Sequence, residues 1–217
     1  MRLVLASTSP ARLALLTAAG VDPQIVPSDV DEPAAVRAAE QAAGRPLPPE
    51  EMVLLLAKAK AEAVAAQLGE RDALVLGGDS AFAFGGAVHG KPGTPEAALA
   101  RWHEQRGGEG VLHSGHWLID ARTGRGAGGV ASATVRFVDD LTDAELAAYV
   151  ATGEPLAVAG AFTIDSLGGP FIERIDGDPS TVVGLSLPVL RRLVRATGVE
   201  WTELWRAPLQ ARASAVL

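Results

Sequence analysis

The sequence has no cysteine, which excludes disulfides and thiolate zinc sites. No apolar run is long enough to cross a bilayer. Only four apolar residues stand between Arg2 and Ser7, too few for the core of a secretory signal, so the cytoplasm is the expected location. Four histidines form no ligand set: His113 and His116 would point to opposite faces of a strand, with no Cys or carboxylate to complete a zinc site. There is no G-x-S-x-G, no P-loop and no internal repeat. The G-x-G-x-x-G spacing of Gly124–Gly129 precedes a strand rather than a helix, so it is not a dinucleotide fingerprint. Lysine is scarce as well, with three residues (Lys58, Lys60, Lys91) against sixteen arginines. The net charge is -7 and the pI about 5.1, which argues against nucleic-acid or membrane-surface partners while leaving room for a small basic pocket.

What is present is a globular chain of 217 residues with 48% apolar content, read as one domain over 1–217. Helices are expected over Glu50–Leu68, ended by Gly69; over Thr94–Gln105, with Thr94 as cap and Pro95 first; from the capping box Thr142-Asp-Ala-Glu145 to Ala151; and over Leu187–Thr197. Strands are expected at Leu3–Leu5, at Gln24–Val26, and at Ala73–Leu76, breaking at Gly77-Gly78-Asp79. Further strands are expected at Gly115–Asp120, Val130–Val138, Ala161–Asp165 and Phe171–Ile175, with a hairpin around Gly85-Gly86. Helices interleave with strands, yet several strand pairs are joined by short turns. That pattern predicts an α/β fold with a mixed twisted sheet flanked by helices.

The opening segment carries the first chemical signal. A short strand, the polar turn Ser7-Thr8-Ser9 and Pro10 predict a helix capped by Ser9. Arg12 falls in its first turn, where a cation opposes the helix macrodipole by ~0.3–1 kcal/mol. A cation misplaced there makes sense if an anion docks at this N-terminus. In a chain this poor in lysine, Lys60 also stands out, because it lies on the apolar stripe of its helix with Val53, Leu56, Ala57 and Val64. Snorkelling at the core edge is the plainer alternative. Lys58 lies off the stripe and pairs with Glu62 at i+4. Asp79 follows a buried strand, where ligand sites of α/β sheets gather. Asp31 and Glu32 suit a hard divalent cation, and Gly90-Lys91-Pro92 presents a cation in a turn. Cations to clamp a leaving anion, a metal site and a carboxylate to activate water are the set that polyphosphate hydrolysis needs.

These motifs, in this order, resemble the Maf family. Leu5-Ala-Ser-Thr-Ser-Pro-Ala-Arg12-Leu-Ala-Leu-Leu16 is similar to its L-A-S-x-S-P-R-R-x-x-L-L. Asp31-Glu32, Leu56-Ala-Lys-Ala-Lys60-Ala, Gly78-Asp79, Gly90-Lys91-Pro92, Gly153-Glu154-Pro155, Ala159-Gly160-Ala-Phe162 and Val183-Gly184-Leu-Ser-Leu-Pro188 follow in the family's sequence. The resemblance implies a nucleoside triphosphate pyrophosphatase, a fold related to the inosine triphosphate pyrophosphatases, and often a homodimer. It places Asp79 as proton acceptor and Ser7, Arg12, Lys60 and Lys91 on phosphate, with Ser9 part of the same cradle. Mg²⁺ or Mn²⁺ on Glu32 and Asp79 completes the expected site. Three departures stand out: Ala11 replaces the first Arg of the motif, residues 105–110 lack the family's His, and Asp165 stands where relatives carry Gln or Glu against the base. The base is therefore left open. House-cleaning of non-standard or excess nucleotides is the expected role, and a nucleotide-sensing regulator of septum formation is the rival reading.

Overall fold

The computed structural model describes residues 1–69, 72–207 and 209. In chain order the elements are β1 (Arg2–Ala6), α1 (Pro10–Ala18), β2 (Gln24–Ile25), α2 (Glu32–Ala43), α3 (Pro49–Gln67), β3 (Ala73–Phe84) and β4 (Ala87–His89). There follow α4 (Pro95–Gln105), β5 (Glu109–Asp120), β6 (Arg125–Phe137), α5 (Asp143–Ala151), β7 (Ile172–Asp176), α6 (Pro179–Val183) and α7 (Leu187–Ala196). The strands form one seven-stranded sheet in the order β2-β1-β3-β5-β6-β7, with β4 paired to β3. β1 is parallel to β2 and β3, whereas β3–β4 and β6–β7 are antiparallel, so the mixed α/β sheet expected from the sequence is the one that forms.

The chain packs as two compact units, each drawn from separate stretches. Of the described residues, the first takes those in 1–79, 115–130 and from 187 onward, and the second takes 80–114 and 131–186. In the first unit, β1 and the start of β3 are continuous apolar runs, as parallel strands covered on both faces require. α3 lays the stripe Val53, Leu56, Ala57, Lys60, Ala61 and Val64 inward, and Glu50 and Glu51 sit in its first turn, where carboxylates favour the macrodipole. Two glycines set how close α3 comes: a Cβ on Gly77 would stand 2.0 Å from the Ala57 carbonyl oxygen, and one on Gly115 would stand 2.3 Å from that of Val53.

In the second unit the core is aromatic. Trp102, Phe137, Phe82 and Phe162 meet edge to face at centroid distances of 5.0–6.0 Å. α4 is capped by Thr94 with Pro95 following, and α5 opens on the reciprocal Thr142/Glu145 capping box, both as the sequence predicts.

Two expectations are corrected. The strand does not break at Gly77-Gly78-Asp79; β3 continues to Phe84. The glycines there serve close packing rather than a turn, since neither has a positive φ. The hairpin turn comes later, at Gly85 (φ 58) and Gly86 (φ 81), which together need the left-handed conformation that glycine supplies. The second correction concerns Ala161–Asp165, which is not a strand. Gly160 (φ 75) and Ala161 (φ 64) turn the chain, and α4 holds the turn through Trp102 Nε1–H to the Ala161 carbonyl (2.8 Å) and Gln105 Nε2–H to that of Gly160 (2.9 Å). β5 and β6 also begin earlier than expected, at Glu109 and Arg125.

Candidate functional site

In the first unit the chain leaves β1 and turns through Ser7-Thr8-Ser9 into α1. Ser9 is the N-cap, its Oγ accepting the Arg12 backbone N–H at 3.4 Å. Ser7 Oγ accepts both the Ser9 N–H (3.2 Å) and the Arg12 Nη1–H (3.1 Å). The oddly placed arginine is thus not spread over the helix end. It is 8% exposed and folds back against β3, where a Cβ on Gly78 would stand 3.2 Å from its Nε. Burial lowers the Arg12 pKa, and the charges of Asp79 and Glu32 oppose that fall.

Lys60 reaches the same place from α3. Its Nζ donates to Asp79 Oδ1 at 2.6 Å and lies 2.8 Å from Glu32 Oε1. Strand and helix periods explain the meeting. Gly77 and Asp79 are two apart on β3 and share a face, and Ala57 and Lys60 are three apart on α3 and share a face. The close contact of Gly77 with Ala57 therefore sets Lys60 over Asp79. Snorkelling, the plainer reading of Lys60, gives way to a buried ion pair, whereas Lys58 makes the expected exposed pair with Glu62 at 3.8 Å. Asp79 is largely buried, and burial raises its pKa; Lys60 and Arg12 pull it down, and Glu32 adds to the rise.

The acidic pair divides its work. Asp31 caps α2, its Oδ1 accepting the Ala34 N–H at 2.9 Å, so only Glu32 turns to Lys60. Among the described residues no group of three or more His, Asp or Glu is placed to hold a metal. The donor set still fits a hard divalent cation, because two carboxylates, Glu32 and Asp79, converge on one cationic position, and Mg²⁺ is commonly held by one or two carboxylates plus substrate phosphates. Two of the four histidines sit in the sheet on local partners: His113 Nδ1 pairs with Ser132 Oγ (2.8 Å) and His116 Nδ1 with the Gly129 carbonyl (3.2 Å). An open groove beside α1, lined by Pro10, Leu13, Ala14, Thr17, Ala18 and Arg206, contains none of the candidate residues.

In the second unit, Lys91 is exposed on the link from β4 to α4. That link is tied down by Arg101 Nη1–H to the Gly90 carbonyl (2.6 Å) and by Gly93 N–H to the Leu156 carbonyl (3.1 Å). Asp165 is exposed on the loop after Phe162. Glu154 holds that loop, which the sequence did not reveal. Its match to the G-E-P motif was visible, but no spacing rule says which residues a carboxylate will meet nine to fourteen positions on.

A sequence profile described as Maf-like protein matches residues 2–197. A protein of Leifsonia xyli subsp. xyli named nucleoside triphosphate pyrophosphatase is 67% identical over 210 residues, covering 94% of this chain and 97% of that one. A Salinispora tropica protein of the same name is 52% identical over 208 residues, covering 94% and 88%. Among solved structures, the Staphylococcus aureus Ham1 protein aligns with a TM-score of 0.39 at 12% identity, covering 64% of this chain and 73% of that one.

Proposed function

The chain belongs to the Maf family, and from that premise we propose that it cleaves a nucleoside triphosphate to the monophosphate and pyrophosphate. The observation that carries the reading is the buried Asp79 carboxylate held at 2.6 Å by Lys60 with the Arg12 guanidinium beside it. A carboxylate whose pKa is raised by burial is a better proton acceptor than a solvated one. In the proposed reaction Asp79 orients a water and takes its proton. The water oxygen bonds to the α-phosphorus in line as the α–β bridging bond breaks, and pyrophosphate leaves. Arg12, Lys60 and the Ser7–Ser9 turn bind phosphate oxygens, and Arg12 and Lys60 also offset the charge of the leaving group. In the second unit, Lys91 binds phosphate and Asp165 contacts the base. Glu32 and Asp79 would hold Mg²⁺ or Mn²⁺, which when bound supplies charge neutralisation at the phosphate oxygens.

The proposed role is removal of non-standard or excess nucleotides by a homodimer, as the family resemblance implies, in the cytoplasm, the location expected from the sequence. Among the described residues no helix is long and apolar enough to cross a membrane. A hydrolysis panel over normal, deaminated and methylated triphosphates, read by pyrophosphate release in Mg²⁺ and in Mn²⁺, tests the reaction. Release of pyrophosphate with monophosphate in equal amounts is expected. Tight nucleotide binding with no pyrophosphate from any member overturns it.

A further inference from the structure

The second unit contains a carboxylate with an unusual load. Glu154 opens the 3-10 turn Glu154–Ala157, placed by Gly153 in the left-handed region (φ 78). Its Oε1 accepts from Thr163 Oγ1–H (2.6 Å), Tyr149 Oη–H (3.0 Å) and Gly168 N–H (3.2 Å). Its Oε2 accepts from Ser166 Oγ–H (2.7 Å) and Leu167 N–H (3.4 Å). Four of the five donors belong to one loop, residues 163–168. Ile164 of that loop packs against the aromatic core, and at its tip the loop exposes Asp165 and Leu167, the latter 56% exposed. The same turn also fixes the Lys91 link, because Leu156 accepts the Gly93 N–H.

Burial alone would raise the Glu154 pKa, but the hydrogen bonds from Thr163, Ser166, Tyr149 and Leu167 outweigh it and hold the carboxyl below its ordinary value. The ionised form is therefore the one this loop is built around. Hydrogen bonds to a charged acceptor are stronger than those to a neutral one, and they reach Thr163, Ser166, Leu167 and Gly168, four of the six loop residues. An acceptor-only carboxylate beside an exposed apolar side chain, held in one geometry, has the means to contact the edge and the face of a nucleobase.

We propose that Glu154 is a positioning residue: it fixes loop 163–168 and through it sets which nucleobase the enzyme selects. The proposal rests on the pyrophosphatase reading and adds to it a residue that touches no phosphate.

The test compares E154Q and D165N with wild type in amide hydrogen exchange and in kcat/KM for GTP and UTP. Glutamine keeps one acceptor but turns donors toward Ser166 and Leu167. Exchange at Leu167 should quicken by at least about tenfold, the loss expected when a hydrogen bond to a charge is removed, whereas Gly168 N–H keeps the amide oxygen and Thr163 Oγ1 as acceptors. KM should rise with kcat little changed, and the GTP:UTP ratio should move in the same direction as in D165N, with no further move in the double variant. Faster exchange with an unchanged ratio, or unchanged exchange, overturns the proposal. T163V and S166A, which each remove one donor, should shift the ratio in the same direction to a lesser degree; they decide the matter if E154Q does not fold. Absence of pyrophosphate release by wild type sinks the pyrophosphatase reading alone; the GTP:UTP ratio of calorimetric binding constants then serves as the readout for Glu154. A ratio moved by E154Q but not by D165N supports Glu154 and removes Asp165 as the base contact.

Discussion

Asp79 is held in the fold against its own preference. Burial raises its pKa more than Lys60 and Arg12 lower it, so its folded value lies above the unfolded one. A raised carboxyl contributes stability at low pH that is lost as pH rises through the folded value. At neutral pH the charged form is therefore a cost, which an amide does not carry, while Lys60 keeps Glu32 as partner. D79N should lower kcat by about 10²–10⁴, the usual contribution of a general base, with a melting temperature at pH 7 no lower than wild type. Thermal denaturation beside initial rates checks both, and near-normal turnover would remove Asp79 as the base. Arg12 gives the companion prediction. Its backbone N–H meets the Ser9 cap, but its guanidinium is buried with Ser7 beside Asp79. R12A leaves the cap in place and should raise KM for triphosphates by about tenfold or more, as loss of a charged hydrogen-bond partner does. If R12A instead stabilises the protein and leaves turnover intact, the cradle is only a helix end.

At the scale of elements, the contact between α3 and β3 decides the site. No Cβ fits at Gly77, because the obstacle is the Ala57 backbone, which has no rotamer to change. G77A must push α3 outward, and Lys60, one turn beyond Ala57, moves with it. Overpacking of this kind costs about 1–3 kcal/mol or more, and here it should also reduce activity by parting Lys60 from Asp79. G69A, where a Cβ meets nothing within 4 Å, is the control and should be close to neutral in both. Chemical denaturation with parallel rate measurements separates the two variants; equal stability would show that α3 is free to shift. The helix caps were legible because they are local: Thr94-Pro95 and Thr142–Glu145 name their own positions. Gly77 was not legible as a packing residue, since a glycine pair before an aspartate reads equally well as a turn until the helix that crosses it is known.

For the whole molecule, charge sets the pH response. Asp120, Glu145, Glu154 and Asp178 all have folded pKa values below their unfolded ones. For Asp120 the cause is the Arg122 hydrogen bond, and for Glu145 it is the Thr142 N–H of the capping box. In Glu154 and Asp178, hydrogen bonds outweigh the opposing effect of burial. Depressed carboxyls stabilise above their unfolded pKa, and that contribution is lost as pH falls through the folded values; Asp79 works in the opposite sense. Four groups against one predict a melting temperature that declines below about pH 4, where carboxyls ordinarily titrate. A pH series of melting curves checks this, and a rise on acidification would show that Asp79 dominates.

The sequence by itself determined the class of the sheet, the capped helices and the identity of the chemical groups, because hydrophobic period, cap residues and ordered motifs are short-range information written along the chain. It also singled out Lys60, Asp79, Glu32 and Arg12 as charged residues in unusual places. Only the tertiary structure decided that these four share one charged cluster, that Asp31 caps α2, and that Glu154 grips the Asp165 loop. Those outcomes depend on how closely α3 approaches β3 and on which backbone N–H groups a folded loop turns toward a carboxylate. Both are set by packing between residues far apart in sequence, for which no local pattern is a record.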